Sequence, residues 1–162
     1  MFYKATAICL LALSPITICG QASKTYQLPP KVKAPVDKNY PGWRLLYPTR
    51  ACNGDFNRAV LIGDFNGDGA RDYVVKIEAS FNGILLALLS NKGAYRHKII
   101  IKESARTIRD LGFTLGRKGT MLLNDKTRSV RLERDAVFVE YCSTGRNANY
   151  YLFRNGGFEP MR

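Results

Sequence analysis

From about residue 51 the chain breaks into short apolar segments separated by turn residues, a rhythm that predicts strands rather than helices. Tyr73 to Ala79, Ile84 to Ser90, Ala94 to Lys102, Thr120 to Leu123, Ser129 to Glu133, Ala136 to Cys142 and Asn149 to Arg154 each read as a strand. Between them stand Asn82-Gly83, Asn91-Lys92-Gly93, Gly116 to Gly119, Asn124-Asp125, Ser143 to Gly145 and Asn155-Gly156-Gly157. Glycine and asparagine accept the left-handed backbone that tight hairpins require. With no long 3.6-residue period, the pattern predicts an all-β fold. The expected form is a single antiparallel β domain, a sandwich or a partial-propeller-like meander. Ala136 to Cys142 and Tyr150 to Phe153 are apolar on both strand faces, as central strands are. One short helix is expected around Lys102 to Leu111.

The N-terminal third has a different pattern. Residues 23–48 hold Pro29, Pro30, Pro35, Pro41 and Pro48 with lysines between them. Proline lacks a backbone donor and disfavours helix at the residue before it, so an extended Pro/Lys-rich arm is expected there. The β domain then occupies residues 49–162. Ahead of the arm, Lys4 is followed by an apolar run to Leu13 and a small-residue exit at Gly20 to Ala22. That is the pattern of a secretory signal peptide over residues 1–22, and it implies a periplasmic or secreted chain. Lipoprotein anchoring at Cys19 is disfavoured, because Ile18 replaces the small residue that lipid attachment needs before the cysteine. The apolar run is too short to span a bilayer, and no transmembrane segment is expected in the mature chain.

Export changes the meaning of the cysteines. Cys9 and Cys19 fall in the leader, so Cys52 and Cys142 remain as the mature pair in an oxidising compartment. A disulfide between them would close a long loop and stabilise the fold by about 4–5 kcal/mol on the chain-entropy argument. Two separate buried thiols are the alternative.

One motif carries recognisable chemistry. Gly63-Asp64-Phe65-Asn66-Gly67-Asp68-Gly69-Ala70-Arg71-Asp72 places Asp64, Asn66 and Asp68 at alternating positions, then a glycine, then Asp72. Alternating hard oxygen donors along a tight loop can wrap Ca²⁺, with the carbonyl of Ala70 as a further ligand. An EF-hand would need Glu three residues after Asp72, where Val75 stands, and a helix where Tyr73 to Ile77 are strand formers. Asp-x-Asn-x-Asp-Gly-x-x-Asp leading straight into a strand resembles the calcium loop of FG-GAP/VCBS-type repeats. The hairpins down to Phe158 resemble small secreted bacterial proteins carrying one such loop. The resemblance implies that Asp64, Asn66, Asp68, Ala70 and Asp72 hold Ca²⁺. It does not extend to propeller-based adhesion, which needs many blades. A solvated Asx-rich turn is the bland alternative.

Charge narrows the partners. Against 13 Asp and Glu stand 25 Lys and Arg, a formal net charge of +12. The leader contributes only Lys4 to it, so the excess belongs to the exported chain. An anionic envelope polymer or an acidic protein fits that balance; nucleic acid does not fit an exported chain without aromatic-interleaved binding motifs. The basic residues concentrate over 96–134, where a plain solvated surface is the competing explanation. His97, the single histidine, falls on the same strand face as Tyr95, Ile99 and Ile101, opposite Arg96 and Lys98, which suits packing better than general-base work. No nucleophile elbow, zinc helix or phosphate loop is present, and the spacing of Asp110 and Glu140 suggests no catalytic pair. The expectation is a monomeric, exported, calcium-supported binding module. An envelope hydrolase and an inhibitor or immunity-type protein are the alternatives.

Overall fold

The computed structural model describes residues 26–48, 58–124, 128–144 and 149–161. The expected leader and Cys52 lie outside the described residues.

Two strands, β3 (Asp72–Ala79) and β4 (Asn82–Asn91), form the centre of the molecule and are buried along most of their length. They pair antiparallel from Tyr73 opposite Leu88 to Ala79 opposite Asn82. Strand alternation divides their side chains between two cores. Tyr73, Val75, Ile77, Ile84, Leu86 and Leu88 face one way. Val74, Leu85, Ala87 and Leu89 face the other. Because both faces are apolar, each needs a cover.

The first cover is helix α1 (Pro30–Asn39), which buries Val32 and Val36 one turn apart against the first face. This corrects the expectation of an extended arm over residues 23–48. Pro30 falls in the first turn, where its missing N–H costs nothing. Pro35 is interior and costs about 3 kcal/mol. Burial of two valines, about 1.5–3 kcal/mol each, outweighs it. The Lys33 ammonium also bonds Asp37 at 2.6 Å across one helical turn.

The second cover is a four-stranded sheet in the order β11 (Gly157–Pro160), β10 (Asn149–Arg154), β9 (Ala136–Tyr141), β6 (Leu111–Gly116). Its Leu111, Phe113, Val137 and Val139 pack against Val74, Leu85, Ala87 and Leu89. The central sheet is completed by β1 (Arg44–Leu45) and β2 (Val60–Gly63), both beside β3, and by β5 (Ala94–Ser104) beside β4. A small hairpin, β7 (Met121–Asn124) with β8 (Arg128–Arg131), stands apart. Every pairing among the described strands is antiparallel, and the fold is all-β with two short helices.

The expected helix is α2 (Ala105–Asp110), capped by the Ser104 hydroxyl on Thr107 N–H. Asn82-Gly83, read as a hairpin turn, instead opens β4; Ser80 and Phe81 make the turn. Gly83 answers to packing, since a Cβ there would sit 2.5 Å from Cβ of Ile108. The alternation expected along β5 also breaks. A bulge lets Leu85 pair with Ile101 while Leu86 pairs with Ile99. Ile101 therefore turns away from the His97 face and packs with the inter-sheet core.

One charge is buried in that core. Lys76 on β3 is fully buried, with its ammonium donating to the Leu111 carbonyl and lying 5.3 Å from the Phe113 ring centre. Burial pulls its pKa down from 10.5 to about 7, against the opposing pull of the Asp110 carboxylate.

Candidate functional site

The motif loop connects β2 to β3, and its shape is set by its own carboxylates. Gly67 and Gly69 take left-handed backbone, φ 80° and 79°, and turn N–H groups inward. The Asp64 carboxylate accepts those of Gly67 at 2.8 Å and Gly69 at 3.0 Å. Asn66 Oδ1 accepts Asp68 N–H at 2.9 Å, and Asp68 accepts Ala70 N–H at 2.8 Å. Each alternate side chain thus folds back on the backbone two to five residues ahead, as Asx turns do.

Asp72 behaves differently. It is fully buried beneath the loop and accepts three backbone N–H groups, from Phe65 at 2.9 Å, Asn66 at 3.1 Å and Ser90 at 2.7 Å. Burial raises its pKa, while those three donors and the nearby Asp68 charge act in opposite directions on the remainder. The Asp68 carboxyl is held below its ordinary value, chiefly by the Ser90 hydroxyl at 2.6 Å and then by Ala70 N–H.

Three supporting residues escaped the sequence reading. Ser90, at the far end of β4, touches Asp68 and Asp72 and accepts the Asn66 amide at 3.0 Å. Asp135 reaches across from the start of β9 and accepts Asp64 N–H at 3.0 Å and Lys118 N–H at 2.9 Å. Arg134 donates to the Asn66 carbonyl at 3.1 Å, supplying positive charge beside the loop. None had a local signal, because each meets the loop only through strand pairing or sheet packing.

The structure gathers Asp64, Asn66 and Asp68 on one short loop with Asp72 closing it from below. Among the described residues, no group of three or more Asp, Glu, His or Cys side chains stands ready to hold a metal ion. The donor chemistry nonetheless suits a hard cation. All five candidates offer oxygen, and an ionised carboxylate has about four acceptor positions, of which Asp64 uses two.

The other candidates are otherwise engaged. His97 pairs with Leu88 and meets the Tyr40 ring edge-on at 5.6 Å, a packed residue as expected. Asp110 accepts the N–H and hydroxyl of Ser143, and Glu140 sits on β9 opposite Gly112. Cys142 is disulfide-bonded; its expected partner Cys52 falls outside the described residues. In the apolar runs, Ala136, Val137 and Val139 are core, and the Phe138 and Tyr150 rings meet at a 48° tilt with centres 4.6 Å apart.

The basic residues of 96–134 do not form one patch: Arg96, Lys98 and Lys102 are spread along β5, and others lie at either end of the molecule. Arg117 lies 3.7 Å from Asp135 at the loop end. Arg109 bonds Glu78 at 2.9 Å near the opposite end of β3. Lys126 and the Arg128 side chain lie outside what is described.

No family model, curated protein or solved structure matches the chain. Among the described residues, no helix is long and apolar enough to cross a membrane.

Proposed function

We propose that the chain is an exported calcium-binding β domain acting as a binding module for an anionic partner, with the ion in a structural role. The observation that carries this reading is the loop itself. Asp64, Asn66 and Asp68 alternate inward over two left-handed glycines, and buried Asp72 ties both ends of the loop to β4. Asp64, Asn66 and Asp68, the Ala70 carbonyl and Asp72 would hold the ion. Bound there, calcium would offset the mutual repulsion of three carboxylates. Asp135 and Arg134 brace the loop from the second sheet, so the site is joined to both sheets.

Export is supported by the leader pattern at residues 1–22, and the anionic partner by the charge excess carried on the mature chain.

Thermal unfolding of the mature protein with calcium or with chelator tests the reading. At tenfold excess over Kd the ion should add about 1.4 kcal/mol. The double variant Asp64→Ala, Asp68→Ala should show no calcium-dependent rise in Tm. An equal rise in the variant would remove this loop as the site.

A further inference from the structure

Among the described residues, three two-residue hairpin turns hold both of their central residues in left-handed backbone. Lys92-Gly93 has φ 50° and 81°, and Asn155-Gly156 has φ 50° and 77°. Each gives its second position to glycine, which accepts that conformation without a clash. Ser80-Phe81, between β3 and β4, has φ 46° and 66° and gives the second position to phenylalanine. An aromatic residue there is a backbone outlier, and its ring is left almost wholly in solvent. Phe81 is 93% exposed, the most exposed of the large hydrophobic side chains among the described residues. Packing of Gly83 against α2 fixes where the turn falls but does not call for an aromatic at the strained position, and strain held there points to a use for the ring outside the fold.

The surroundings indicate what. Arg44 on β1 and Arg109 on α2 both bond the same Glu78 oxygen, at 3.0 Å and 2.9 Å, three residues before Phe81. Lys102 on β5 pairs opposite Ile84, three residues after it. Arg106 follows Ala105, whose Cα lies 3.0 Å from the position a Cβ on Gly83 would take. Four cations and two acids, Glu78 and Glu103, therefore share the strand ends that flank the turn, and the balance is positive. A protein partner of ordinary interface size would cover about 800 Å² on this side, far more than the tip of a two-residue turn presents. Here one ring projects from among long charged side chains, the arrangement of an interfacial anchor, where an aromatic residue sits at headgroup depth and cations meet anionic lipid.

We propose that the Ser80-Phe81 turn docks on an anionic lipid surface, with the Phe81 ring entering the headgroup region and Arg44, Lys102, Arg106 and Arg109 facing lipid phosphates. The proposal rests on the binding-module reading and names the partner. The calcium loop lies at the opposite end of β3, so the two are separable.

Co-sedimentation of the mature protein with phosphatidylcholine vesicles, with and without phosphatidylglycerol, is the test. Binding should require phosphatidylglycerol, weaken with salt, fall about fivefold or more in Phe81→Asn and persist in Phe81→Trp. Charge reversal by Lys102→Glu with Arg106→Glu should weaken it independently. Phe81→Asn should melt no lower than the parent and keep its response to calcium, which separates failure of this proposal from failure of the calcium reading. Equal vesicle binding by parent and Phe81→Asn would overturn the proposal. So would a parent that ignores vesicles while binding soluble polyphosphate.

Discussion

Strand β3 ends in two left-handed turns built on opposite logics. At its start, Gly67 and Gly69 accept the unusual backbone, leaving Asp64, Asn66 and Asp68 free to gather oxygens and N–H groups into one knot. At its end, Ser80 and Phe81 accept it without glycine, and the result is a ring that is 93% exposed. In the first turn the backbone serves the side chains' convergence. In the second it serves their projection. Conformational cost alone therefore does not mark a site; what the side chain does with the position distinguishes the two.

The largest expected effect lies at the loop end. Asp72→Ala would leave three N–H donors without an acceptor, that of Phe65 buried and those of Asn66 and Ser90 partly so, with about 3 kcal/mol lost in urea unfolding. Asp72→Asn, which keeps one acceptor oxygen, should lose less. If both variants unfold like the parent, the loop is not held from below.

Between the two ends, Lys76 gives the strand a pH dependence. Its folded-state pKa is about 7 against 10.5, so above pH 7 the folded chain carries fewer protons than the unfolded one. Stability should rise with pH between those values by at most about 1.4 kcal/mol per unit. The penalty should be fully present below pH 7. Lys76→Met should flatten that slope and add about 1–4 kcal/mol at acid pH. A slope unchanged in Lys76→Met would assign the effect elsewhere.

Closer to the tip, Gly83→Ala should cost about 1–3 kcal/mol through collision with Ile108, against no change if α2 can shift. The smallest effect separates the two turns most directly. Phe81→Gly should raise stability by about 1 kcal/mol by relieving the left-handed phenylalanine. Gly69→Ala, at φ 79°, should lower it by a similar amount.

Features written locally were legible in the sequence. The turns at Lys92-Gly93 and Asn155-Gly156, the loop of alternating Asx residues and the short helix before Leu111 each depend on residues within a few positions of one another. Features settled by distant packing were not. Asn82-Gly83 carries the strongest hairpin signal in the chain, yet Gly83 is needed where α2 presses on β4, and the turn moves two residues back. α1 was hidden because proline statistics ignore what Val32 and Val36 gain by covering a sheet. β6 was missed because Gly112 and Gly116 blunt its pattern, although β9 pairs with it over its whole length. In the site, the alternating donors were visible while Ser90 and Asp135, which hold them in place, were not.

The bulge in β5 bears on how the molecule behaves in company. β5 is an eleven-residue strand at the outer edge of the central sheet, a ready template for strand addition by a second molecule. The bulge at Ile99 to Ile101 interrupts the even spacing such addition needs, and exposed Arg96, Lys98 and Lys102 put like charges along the same edge. Like charges along an open edge oppose sheet-to-sheet addition, and neutralising those three residues should raise the tendency to aggregate as concentration rises, read by light scattering against the parent.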